Sequence, residues 1–130
     1  MKPEDIKYIV VHCSKTTVRQ GDGLAVVERK CRQRGALSCG YHFVISRDGT
    51  VHNGRKLEEA GNHIVGYNDK SIAVCLVGMP GRATEKQRYA IKRLLGILKE
   101  QFPDAIAVTH EELQPSTGKG CPGYKLRGTV

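Results

Sequence analysis

The chain has no tryptophan, and aromatic residues make up only 5% of its 130 positions. A protein that stacks bases on aromatic side chains has little to work with here. No nucleic-acid motif compensates, so nucleic acid is not an expected partner. No apolar run approaches the length of a membrane span, and membrane insertion is not expected. Met1-Lys2-Pro3-Glu4-Asp5 is polar, and Ile6 to Val11 is too short for the apolar core of a signal peptide. Synthesis in a cytoplasm, without a Sec-type leader, is the expectation. There is no C-x-x-C pair. The five cysteines are odd in number and irregularly spaced, which argues against a disulfide framework and for reduced thiols able to bind metal. Gly21-Asp22-Gly23 lacks the rest of any phosphate-binding loop.

What is present suits one folded domain spanning residues 1–130. A hydrophobic share of 39% without low-complexity tracts is that of a globule with one core. The formal net charge is +8, with the excess in residues 1–35 and 82–130 and a balanced middle. Such a surface suits polyanions such as an anionic cell envelope, and it equally serves solubility alone, because the charges are interspersed.

The element pattern reads β-α-β-β-β-α-β. Residues 6–12 form a mostly buried strand. Asp22 is placed to cap a helix running to about Arg34, with Gly35 at its C-terminal turn. Tyr41 to Ser46 alternates, with Tyr41, Phe43 and Ile45 on one side and His42 and Val44 on the other. Arg47-Asp48-Gly49-Thr50 is a hairpin turn. Residues 54–70 are irregular, and Ser71 to Val77 is apolar enough for a central strand covered on both faces. Thr84-Glu85-Lys86-Gln87 is a capping box opening a helix that Pro103 stops. Ala105 to Thr109 is a short strand, followed by a loop to Cys121. The fold class expected is α/β, a single mixed central sheet flanked by helices.

Three residues suggest chemistry. His12 ends an apolar strand, His110 follows another, and Cys121 sits in the tight loop Gly120-Cys121-Pro122-Gly123, where a thiol fills no core. Two imidazoles and a thiolate are typical zinc donors. Three protein ligands leave one coordination position for water, the mark of a catalytic rather than a structural zinc. Each histidine alone reads more readily as a hydrogen-bonded structural residue, and spacing does not show convergence. Other chemistries fit less well. His110-x-Glu112 lacks the downstream P-C-x-x-C of a zinc deaminase. His110-Glu111 is followed by Leu113 and Gln114 and not by the second histidine of a zincin helix. A Cys121–His110 thiol protease has no local signature to support it. Cys31 and Cys75 read as small core residues, whereas Cys13 and Cys39 are open, a Cys13–Cys39 contact included. Cys13 adjoins His12, but on a strand its side chain points the other way.

Longer stretches carry a family resemblance. They are Val10-Val11-His12-Cys13-Ser14, Gly40-Tyr41-His42-Phe43-Val44-Ile45-x-Arg47-Asp48-Gly49-Thr50-Val51, Gly66-Tyr67-Asn68-x-x-Ser71-Ile72-x-Val74-Cys75-Leu76-Val77-Gly78, and Lys119-x-Cys121-Pro122. In that order they cover nearly the whole chain. The chain resembles the zinc-dependent N-acetylmuramoyl-L-alanine amidases, the group that shares its fold with peptidoglycan-recognition proteins, and most of all the short phage lysozymes that are amidases. The resemblance implies a zinc ion held by His12, His110 and Cys121, with Tyr41 and Lys119 as the catalytic pair. It implies that His63 and Asn68 border the substrate groove, though a loop held by Asn and Gly turns explains them as well. Without it, Tyr41 would read as packing with Phe43 and Ile45, Lys119 as an exposed lysine, and His42 as structural.

The resemblance further implies a monomeric phage endolysin that hydrolyses bacterial peptidoglycan and reaches the cell wall after release from the host cytoplasm. A non-catalytic peptidoglycan-binding module and a regulator of phage RNA polymerase are the competing readings. Recognition proteins that lose the cysteine lose zinc and hydrolysis, and here Cys121 is present. Some phage amidases use an N-terminal extension against the polymerase, and the segment before His12 is short. The loop from Glu111 to Gly118 is longer than the family pattern, with the extra residues around Ser116-Thr117-Gly118.

Overall fold

The computed structural model describes residues 1–115, 122, 123 and 126. Its elements are β1 (Tyr8–Cys13), α1 (Leu24–Gln33), β2 (Phe43–Ile45), β3 (Val51–Asn53), β4 (Ser71–Leu76), α2 (Glu85–Gln101), β5 (Ile106–Thr109) and α3 (His110–Leu113). Single 3-10 turns occur at Pro3–Asp5 and Val18–Gln20. The strands form one sheet in the order β3-β2-β4-β1-β5. β4 runs parallel to β1 and β2, β5 runs parallel to β1, and only the β2–β3 hairpin is antiparallel. The expected mixed sheet with flanking helices is the fold observed.

The two faces of the sheet are packed differently. Ile72, Val74 and Leu76 of β4 join Ile9 and Val11 of β1 against Ile91, Leu94, Leu95 and Leu98 of α2. On the opposite face β4 presents Ser71, Ala73 and Cys75, of which the last two pack with Val44, Tyr41 and the α1 residues Val26, Val27 and Cys31. All six β4 residues are buried, as a strand covered on both sides requires. Period-two alternation thus sends bulky side chains to one helix and small ones to the other. The small ones leave room for rings on the α1 face.

Several local expectations hold. Thr84 Oγ1 accepts from the Gln87 amide at 3.1 Å, and Gln87 Oε1 accepts from the Thr84 amide at 3.0 Å, closing the capping box. Gly35 follows α1 with φ of 93°, a left-handed conformation natural to glycine. Gly49 turns the β2–β3 hairpin with φ of 88°.

Four expectations need correction. Asp22 does not cap α1, whose N-cap is Gly23. Asp22 Oδ1 instead accepts from the amides of Gly23 at 2.9 Å and Arg47 at 3.1 Å, tying the start of α1 to the hairpin turn. Tyr41 lies outside β2 and packs with Val44 on the α1 face, not with Phe43 and Ile45, because alternation starts only where the strand does. The stretch after Thr109 is not loop from its start but a helical turn. Cys39 packs in the cluster of Cys31 on the α1 face and not with Cys13, and its thiol donates to the Tyr41 carbonyl at 3.6 Å. Cys13 points to the α2 side, beside Gln87, as strand alternation from His12 demands.

Gln87 joins the layers. Its side chain is fully buried, and Nε2 donates to the carbonyls of Ile45 at 3.0 Å and Val77 at 2.9 Å. Gln87→Ala takes a donor from both carbonyls, leaving that of Ile45 with the Val77 amide at 2.9 Å, and opens one side of the capping box. Urea unfolding should show a loss of about 3 kcal/mol with an unchanged slope. A loss below about 1 kcal/mol would mean that those carbonyls find other partners.

Candidate functional site

The parallel register of β1 and β5 pairs Val11 with Thr109. The next residue on each strand is a histidine, so His12 and His110 become neighbours. Their ring centroids are 4.6 Å apart. His12 is the fifth residue of β1, and alternation turns it away from α2, onto the face where small β4 residues leave room. Tyr41 reaches the same spot from the segment before β2, its ring 5.1 Å from that of His12. His63 completes the cluster from the irregular segment, 4.9 Å from the His12 ring and 6.5 Å from that of Tyr41.

His110 owes its place to a capping box. Thr109 Oγ1 accepts from the Glu112 amide at 3.1 Å, and Glu112 Oε1 accepts from the Thr109 amide at 3.0 Å. The strand therefore turns into a helix at His110, and the imidazole is presented by a hydrogen-bonded turn. Thr109-x-x-Glu112 is the sequence signature of this box. No apolar run follows it, so the box does not stand out in the sequence. Nε2 of His110 lies 3.0 Å from Gln114 Oε1.

His12 and Tyr41 are buried, and His63 and His110 are half-buried. Burial, followed by His63, His110 and Arg34, holds the His12 pKa well below its ordinary value. Burial, followed by His42 and His110, lowers that of His63 to about 3. Both rings are neutral at pH 7, the form that binds metal. Burial first, and Cys75 second, raise the Tyr41 phenol pKa far above its ordinary value, so this hydroxyl keeps its proton. The Arg34 side chain lies close enough to Tyr41 to oppose that rise. The sequence offered no sign of that contact, since Arg34 is an ordinary last-turn arginine until the chain folds.

Of the expected zinc ligands, His12 and His110 come together, while Cys121 lies outside the described residues, as does Lys119. Among the described residues no group of three or more His, Cys, Asp or Glu side chains forms a complete metal site. The donor chemistry of the described pair nevertheless fits zinc, with the buried His12 imidazole lying against the half-buried ring of His110. Asn68 Oδ1 accepts from the amides of His63 at 2.9 Å and Ile64 at 3.0 Å, so it holds the loop that carries His63. His42 is structural. Its Nδ1 accepts from the Ala73 amide at 3.0 Å and its Nε2 donates to the Glu59 carbonyl at 2.7 Å.

A family model described as N-acetylmuramoyl-L-alanine amidase matches residues 2–124. The endolysin of Klebsiella phage KP32 is 36% identical over 133 residues, covering 97% of this chain and 86% of that relative. The endolysin of Escherichia phage T7 is 37% identical over 131 residues, covering 95% and 85%. Among solved structures, the endolysin N-acetylmuramoyl-L-alanine amidase LysCS of Clostridium intestinale superposes with a TM-score of 0.80 at 23% identity, covering 95% of this chain and 78% of that one.

The hydrogen bonds of His42 set a pH dependence. Protonating its Nδ1 would turn an N–H against the Ala73 N–H, and burial, the main cause, lowers its pKa below 6.5. The folded value lies under the unfolded one. The stabilisation is therefore complete above about pH 6.5 and is lost as pH falls through that value toward the folded pKa. In His42→Asn, which keeps an acceptor for the Ala73 amide, the acid-side slope of unfolding free energy should shrink by up to about 1.4 kcal/mol per pH unit. An unchanged slope between pH 6.5 and 5, measured by urea unfolding, would refute this role.

Proposed function

The chain belongs to the N-acetylmuramoyl-L-alanine amidase family, and from that premise we propose that it is a phage endolysin: a zinc amidase domain, residues 1–130, that cuts the amide between the lactyl group of N-acetylmuramic acid and L-alanine in bacterial peptidoglycan. The observation that carries this reading is the meeting of His12, His110 and Tyr41 on one face of the sheet. Site of action is the cell wall. No described helix is long and apolar enough to cross a membrane.

His12, His110 and Cys121 are the proposed zinc ligands. Support for Cys121 comes from its neighbour: the Pro122 carbonyl accepts from the Gly81 amide at 2.9 Å, tethering the chain a few residues beyond β4, whose Cys75 pairs with His12. When bound, zinc supplies a Lewis acid for the amide carbonyl and lowers the pKa of a water to about 7. Tyr41, protonated and buried, donates a hydrogen bond into the site and orients the attacking group. Lys119, two residues from Cys121, stabilises the tetrahedral oxyanion, an effect of about 3 kcal/mol for a well-placed donor. His63 and Asn68 shape the substrate side of the site, Asn68 through the loop it holds.

Purified protein should hold one zinc per chain and release free L-alanine amino termini from sacculi. Cys121→Ser should abolish both. Full zinc content and activity in that variant would remove Cys121 from the site. Tyr41→Phe should keep its zinc and lose about 100-fold in kcat; a rate within twofold of wild type would end the role given to the phenol.

A further inference from the structure

The ring of His63 does more than stand beside His12. His12 Nε2 and His63 Nδ1 are 2.8 Å apart, and His63 Nε2 and Ser71 Oγ are 2.9 Å apart. Ser71 Oγ in turn donates to the Tyr67 carbonyl at 2.6 Å. Each link has a forced direction. A carbonyl only accepts, so the Ser71 proton points at Tyr67. The Ser71 oxygen is then an acceptor, and His63 Nε2 must carry the proton that meets it. A neutral imidazole has one N–H, so His63 Nδ1 holds a lone pair and accepts from His12 Nε2–H. His12 is left with its lone pair on Nδ1.

We propose that His63 and Ser71 are positioning residues for His12, a two-residue relay that fixes its tautomer and ring orientation so that Nδ1 is the atom offered to the metal. The proposal rests on the reading of His12 as a zinc ligand. A metal-bound imidazole commonly donates its other N–H to an acceptor that orients the ring and raises its basicity, and that acceptor is most often a carboxylate, carbonyl or water. Here the acceptor is a second neutral imidazole. The surrounding structure serves the relay. Ser71 is fully buried at the first position of β4, opposite Tyr8. The loop bearing His63 is held by Asn68. Gly61 has no side chain where one is forbidden: a Cβ there would stand 2.7 Å from His63 Cδ2.

Zinc affinity measured against a competing chelator tests the relay without any assay of hydrolysis. His63→Leu fills the space but accepts nothing, and its Kd should weaken by about 10- to 100-fold. His63→Asn returns an acceptor oxygen near the Nδ1 position and should recover most of that loss. Ser71→Ala removes only the directing hydroxyl and should weaken binding by less than His63→Leu. Equal affinity in His63→Leu and wild type would overturn the proposal, as would equal losses in the Leu and Asn variants.

Long-range proton–nitrogen NMR of the unsubstituted, zinc-free protein needs no variant to fold. It should find both His12 and His63 as Nε2–H tautomers, and a proton on Nδ1 of either ring would sink the relay. His12→Ala separates the two levels of the argument. Loss of zinc upholds His12 as a ligand whatever His63 does, whereas undiminished affinity overturns the ligand reading and the relay with it.

Discussion

The pairing of β1 with parallel neighbours on both sides is the constraint from which the rest follows. A strand between two others has every backbone group committed, so its register cannot slip without breaking both ladders. Val11 opposite Thr109 then forces His12 and His110 together. His12 opposite Cys75 sets the same ring over a small β4 side chain. The site is thus a consequence of strand register, with loops adding Tyr41 and His63 to a position already defined.

The asymmetry between the two faces of the sheet has a functional side. The α2 face is filled by branched aliphatics and is held by Gln87, which bonds two strand-end carbonyls while closing its own helix cap. The α1 face carries smaller residues and several polar rings. Buried rings without partners would be expensive, and the structure supplies the partners: Glu59 and Ala73 for His42, His63 for His12, Ser71 for His63. Stability is concentrated on one face and chemistry on the other. The neutral state of these histidines follows from their burial.

Much of this was legible in the residues, for identifiable reasons. The apolar run through His12, the continuous run of β4 and the Thr84–Gln87 box are local patterns, and local patterns survive folding. The ordered motifs led to the amidase family and the likeness to phage endolysins, which the comparisons support. The misreadings were also local. Asp22 had the right chemistry for a cap but met a better use at the Arg47 amide, a residue of the hairpin. Tyr41 was counted into an alternation that begins two residues later. The Thr109–Glu112 box was passed over because the helix it starts is a single turn.

By itself the sequence singled out two histidines and a cysteine as candidate metal donors, with a tyrosine and a lysine added through the family resemblance, on strands and loops set by periodicity and turn residues. Tertiary structure alone decided which of them meet. His12 and His63 are far apart in the chain, and nothing in the spacing of either says that one ring will hydrogen-bond the other at 2.8 Å. That contact depends on the path of an irregular segment held by Asn68 and on a serine at the start of a strand it does not belong to. Periodicity reports the direction of a side chain relative to its own backbone; distances between segments arise only when register and packing place those backbones against each other.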